Sequence, residues 1–174
     1  MLFLTKTRKM VLLSILISQA LVLHVIERVI PVPVPVPGVK LGLANIISLI
    51  TIMLFGFKEA VIVVVLRTLL SSLFGGGLSS FLYSLAGGIL SSSVMAYMYL
   101  KHKNIFSIPT ISTVGAVFHN IGQIGVASLV ISNIHLFYYL PVLLISGVIT
   151  GILIGFTVEF TVEPVKRILK IGGA

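Results

Sequence analysis

The sequence predicts an all-α, polytopic membrane protein folded as a bundle of six transmembrane helices. Apolar residues make up 57% of the chain and charged residues 9%, against about 25% charged in an ordinary globular domain. Mean hydropathy is +1.21. The 174 residues hold about six spans of ~20 residues with short loops, leaving no room for a sizeable soluble domain. Apolar and polar residues do not alternate as they do in barrel strands, so the spans are helical. There are no cysteines, which excludes a disulfide framework, thiolate metal sites and a cysteine nucleophile. In a chain this apolar, the net charge of +8 marks cytoplasmic loops, and no nucleic-acid partner is expected.

The elements follow in order. MLFLTKTRK is basic and lacks a small-residue cleavage site, which predicts an uncleaved first helix with span 1 at 10–30. The next stretch, 31–40, has proline at every second position (Pro31, Pro33, Pro35, Pro37) and then Gly38 and Lys40. Alternating prolines lack the amide donors of a helix or central strand, so this segment is expected to be extended and polyproline-like, a semi-rigid strap of about 20 Å. Placed between two spans, it is expected to form part of the lid or wall of a binding site. Span 2 is predicted at 41–57, ending at GFKEA, where Lys58 and Glu59 make a tight turn. Span 3, at 60–74, is interrupted by Arg67 and ended by Gly75, Gly76 and Gly77. Spans 2 and 3 are short for a bilayer, so one is expected to be bent or flanked by a re-entrant piece. Spans 4, 5 and 6 are predicted at 79–100, 108–131 and 137–160, as parts of a single transmembrane domain.

Lys and Arg placement sets the orientation. With both termini inside, the inner side collects Lys6, Arg8, Lys9, Lys58, Lys101, Lys103, Lys166, Arg167 and Lys170, and the outer side only Arg28, Lys40 and, within a span, Arg67. Nine against three predicts cytoplasmic termini, an extracellular strap and a plasma-membrane location.

That topology assigns depths. Arg28 is about 27 Å along span 1 and Lys40 begins span 2 from the outside, with Asn45 about 8 Å deeper. Arg67 lies roughly 12 Å into span 3, near the midplane. His119 is about 16 Å into span 5, with Asn120 and Gln123 further outward. Buried ionisable groups cost at least ~2.5–3.5 kcal/mol each at a helix centre, so they face a cavity or a partner. Arg28, Lys40 and Arg67 have only Glu27 nearby as counter-charge, and a net-positive, outward-opening pocket suits an anionic ligand such as a carboxylate or phosphate. Other roles stay open. Arg28 and Lys40 also fit snorkelling to the headgroups, Arg67 fits a pair with Glu27, and His24 fits a simple interfacial position. His119 and Gln123 share a helix face whereas Asn120 points about 100° away, and all three also fit interhelical hydrogen bonding. His119 has no carboxylate or second histidine at ligand spacing, so no metal site and no cofactor is implied.

Small residues form a second pattern. Gly147, Gly151 and Gly155 recur every fourth position, and Ser84, Gly87, Gly88 and Ser91 stripe span 4; such faces let helices approach closely. Ser14 and Ser18 on span 1 fit either packing within the bundle or docking of a separate membrane partner.

The stretches IERVIPVPVPVPGVKLGLANI, GFKEAVIVVVLRTLL, SLAGGILSSSVMA, GAVFHNIGQIGVASL and YYLPVLLISGVITGILIG resemble the Gx transporter family, also described as heptaprenyl diphosphate synthase component I. The resemblance runs in order over nearly the whole chain. That family is similar to the substrate-binding S components of energy-coupling-factor (ECF) vitamin transporters, and the resemblance implies their six-helix fold. It implies that Ser14 and Ser18 meet a transmembrane coupling subunit driven by two ATPases, serine standing where S components carry alanine. It also implies that the strap closes over substrate while Lys40, Asn45, Arg67, His119, Asn120 and Gln123 line the site. The chain has no aspartate, and prenyl synthases hold magnesium-bound diphosphates with aspartate-rich motifs, so no enzymatic activity is expected. It also has no G-x-x-x-x-G-K-[ST] phosphate loop. The expected function is uptake of a small, anionic organic molecule of vitamin, isoprenoid or quinone-precursor class, as the binding subunit of an ECF-type importer. The alternatives are a non-catalytic membrane subunit supporting prenyl diphosphate or quinone biosynthesis, and a self-sufficient carrier, which the lack of a repeat and of a buried acidic relay disfavours.

Overall fold

The computed structural model describes residues 5–27 and 42–169. The proline strap, Arg28 and Lys40 lie outside the described residues. Every regular element described is helical: α1 (Lys6–Ile26), α2 (Asn45–Phe55), α3 (Phe57–Ser71), α4 (Gly77–His102), α5 (Ile108–Ile131), a 3-10 turn (Ile134–Tyr139) and α6 (Leu140–Leu169), with a kink at Ser72–Gly76, where Phe74 and Gly75 leave helical geometry, between α3 and α4. Four helices are long and apolar enough to cross a membrane: α1, α4, α5, and α6 with the 3-10 turn that leads into it. They mark the chain as a membrane protein.

The helix ends carry the residues that stop backbone groups from going unpaired. Thr5 accepts from the Arg8 amide and Ser107 from the Thr110 amide, each satisfying a free N–H of the first turn. α5 ends where Ser132 turns left-handed, and the Asn133 side chain then caps the 3-10 turn through the His135 amide.

At 1.5 Å per residue, α2 with 11 residues and α3 with 15 reach about 16 and 22 Å, short of a ~30 Å hydrocarbon core. Neither is long enough to cross as a straight run. One residue separates them: Gly56, at φ 100° and ψ −174°. Only glycine adopts that conformation freely, and another residue pays roughly 1–3 kcal/mol. Gly56→Ala is therefore expected to lower the melting temperature in detergent, while Gly125→Ala, where an added methyl meets nothing within 4 Å, tests the neutral case.

The core runs through α2, whose Ile47, Leu49, Ile50, Ile52 and Met53 are buried against α1, α4, α5 and α6 side chains such as Leu16, Met95, Ile111, Ile154 and Val158. α5 is the central post, packed most extensively on α4 and α6. The glycine row of α6 lies on α5: a methyl at Gly147 would meet Asn120 Nδ2 at 2.6 Å, one at Gly151 the Thr113 Cα at 2.6 Å, and one at Gly155 would run into Pro109. That row serves packing inside the bundle.

α1 is the peripheral helix, burying only Leu16, Ala20 and His24 along its length. Two polar ties hold it to α3. At one end Lys9 pairs with Glu59. Partial burial pushes the Glu59 carboxyl up, but the Lys9 hydrogen bond and the Lys9 and Lys58 charges outweigh it and hold it below the usual carboxylate range. At the other end His24 meets Arg67.

Candidate functional site

Arg67 sits on the inward face of α3 with Val63, Val64, Thr68 and Ser71, and only 1% of it is exposed. Its Nη1 hydrogen-bonds His24 Nδ1 at 3.0 Å. Its Nε and Nη2 have no hydrogen-bond partner among the described residues. Stripping water from a guanidinium costs several kcal/mol, and Glu27 supplies the opposing charge that acts on it.

Glu27 follows the last turn of α1 and is 2% exposed. Its Oε1 accepts from the Gly42 amide and, at 3.0 Å, from the Leu43 amide, just ahead of α2. A carboxylate there satisfies free N–H groups and complements the positive end of the helix. One side chain thus ties the end of α1 to the start of α2.

Asn45 opens α2 and is 2% exposed, with neither its Oδ1 nor its Nδ2 partnered among the described residues. Beside it stands His119 of α5, whose Nε2 lies 2.9 Å from Gln123 Nε2. Glycines make room for this group. A methyl on Gly42 would lie 2.9 Å from Asn45 Nδ2 and 3.1 Å from His119 Cδ2. One on Gly87 would lie 2.7 Å from the His119 carbonyl and 3.1 Å from His119 Cε1, and one on Gly88 3.1 Å from Arg67 Nη2. Buried Ser84, one turn before Gly88 on the same face of α4, has a hydroxyl without a partner among the described residues.

Asn45, Arg67, His119 and Gln123 are therefore brought together in one buried polar cluster on α2, α3 and α5, roofed by α4. Asn120 is not part of it: its Nδ2 donates to the Leu143 carbonyl at 2.6 Å, on the α5–α6 seam. Arg28 and Lys40 fall outside the described residues, so the cluster's visible charges are Arg67 and Glu27. His24 and Glu27 join it although the sequence marked neither as a site residue; their i,i+3 spacing on the last turn of a span was the available signal. Ser14 and Ser18 lie elsewhere, exposed on α1, with hydroxyls donating to the Met10 and Ser14 carbonyls at 3.0 and 2.9 Å. They line an open groove of ≈ 550 Å³ with Thr7, Met10, Val11, Ile15 and Gln19. Among the described residues no three His, Asp or Glu side chains gather to hold a metal.

Bilayer-length helices and a buried cluster of guanidinium, carboxylate, imidazole and amide groups describe a helical membrane protein with a polar interior. The model of the family described as heptaprenyl diphosphate synthase component I matches residues 16–161, and the chain belongs to that family. No curated protein and no solved structure matches it.

Proposed function

We propose that the chain is the substrate-binding membrane subunit, or S component, of an ECF-type importer, taking up a small anionic organic molecule of vitamin, isoprenoid or quinone-precursor class. It is a binder with no catalytic role. One observation carries the reading: a fully buried arginine keeps two donors unpartnered among the described residues. Buried donors without acceptors cost about 1–3 kcal/mol each, more when charged, and an oxyanion bound between α3 and α4 would repay that cost. Arg67, Asn45, His119 and Gln123 form the site, with Asn120 bracing α5 behind it; Arg28 and Lys40 are the further cations the sequence assigns to the ligand. α1, α4, α5 and α6 cross the plasma membrane, α2 and α3 are short helices packed within the same domain, and both termini are cytoplasmic. The exposed α1 face with Ser14 and Ser18 meets the transmembrane coupling subunit, and two ATPases supply the energy.

The test is mass spectrometry of small molecules retained by gently purified protein. Wild type and Lys101→Ala are expected to carry an anionic metabolite that Arg67→Ala has lost. Equal retention in all three would overturn the site. The family's description favours a second reading, a membrane subunit serving prenyl diphosphate biosynthesis. Copurification decides between them: a coupling subunit with ATPases supports import, and a prenyl synthase chain supports the second.

A further inference from the structure

Among the described residues, Arg67 and Asn45 each keep polar atoms without a partner, in a way that specifies what would fill them. Arg67 spends Nη1 on His24 and leaves Nε and Nη2, which lie along one side of the planar guanidinium. That edge offers two parallel N–H donors, the fit for two oxygens of one carboxylate or phosphate. Asn45 leaves a carbonyl oxygen and an amide nitrogen unpartnered side by side. An acceptor beside a donor matches a ligand edge carrying N–H next to C=O or ring nitrogen, as asparagine matches adenine. The His119 ring stands between the glycines that approach them, its Cδ2 toward Gly42, which also faces Asn45, and its Cε1 toward Gly87, whose neighbour Gly88 faces Arg67.

We infer that the site takes a two-ended ligand: an oxyanion held by the side edge of Arg67, and an amide-, ureide- or lactam-type edge read by Asn45, with the body of the molecule against His119. This rests on the proposed binding function and narrows it. A prenyl diphosphate offers only the first end. In the empty protein Asn45 is a liability, because a buried amide without partners costs more than an apolar side chain of the same shape.

The test uses full-length protein in mild detergent, equilibrated with a soluble metabolite extract, washed, and read by mass spectrometry for wild type, Asn45→Leu, Asn45→Asp and Arg67→Ala. The wild type is expected to retain a molecule bearing both ends. Asn45→Leu should reduce that retention about 10- to 100-fold, the worth of a bidentate pair, while melting no lower than wild type when empty. Asn45→Asp, which keeps acceptors and loses the donor, should reduce it too. A retained anion without a donor–acceptor edge overturns the inference and leaves the binding function standing. So does full retention by both Asn45 variants with loss in Arg67→Ala. If the wild type retains nothing, the binding function falls and the inference with it.

Discussion

Glu27→Ala is expected to be the most destabilising single substitution in the bundle. Its carboxylate accepts from the Gly42 and Leu43 amides at the head of α2 and opposes the charge of Arg67, all in a position 2% exposed. Alanine removes the single oxygen that accepts from both amides and leaves a buried guanidinium without that counter-charge. Each buried amide left without an acceptor costs about 1–3 kcal/mol, which for the two in a domain of this size corresponds to a fall in melting temperature of roughly 10 °C. Glu27→Gln should fall between, since its amide oxygen still accepts from α2 while its charge is gone. The double variant Glu27→Ala with Arg67→Leu, which removes both charges, should recover part of the loss. A Glu27→Ala protein that melts with the wild type would mean that the carboxylate carries neither role.

How far the sequence reaches depends on the range of the interaction. Long apolar runs foretold α1, α4, α5 and α6, because a stretch nearly free of charge carries its own signal, and Gly75 to Gly77 punctuate it. The 100° step per residue also separated Asn120 from His119 and Gln123 before any partner was known. The Leu143 carbonyl that Asn120 meets was not legible, nor was the 43-residue jump from Arg67 to His24, because nothing local records which helices become neighbours. Glu27 was visible as a counter-charge for Arg67, but not as the tie to the turn ahead of α2, since its hydrogen bonds run to the backbone amides of Gly42 and Leu43, which any sequence would supply. The short α2 was half legible. Its length showed that something was unusual, and Gly56 at a positive φ explains where the chain turns back. Ser84, Gly87 and Gly88 announced a close approach without saying what approached.

Gly87→Val answers that last question and carries the second large effect. A side chain there points at α5, where the first carbon alone would lie 2.7 Å from the His119 carbonyl and 2.8 Å from Gln123 Cγ. The carbonyl is backbone inside a regular helix, so it cannot swing aside. Either α4 and α5 separate, or the helix carrying His119 and Gln123 shifts. Overpacking costs typically 1–3 kcal/mol, and here the displaced backbone also carries His119 and Gln123 of the proposed site, so retention of the proposed ligand should drop out together with stability. Gly125 is on α5 too, and a methyl there meets nothing within 4 Å, so Gly125→Ala should retain ligand and melt close to the wild type. Gly151→Ala completes the comparison. It strikes the α5–α6 seam through Thr113, away from the cluster, and is expected to lower the melting temperature while the surviving folded protein still binds. A Gly87→Val protein that binds as well as Gly151→Ala would place the ligand outside the α4–α5 interface, whatever its effect on stability.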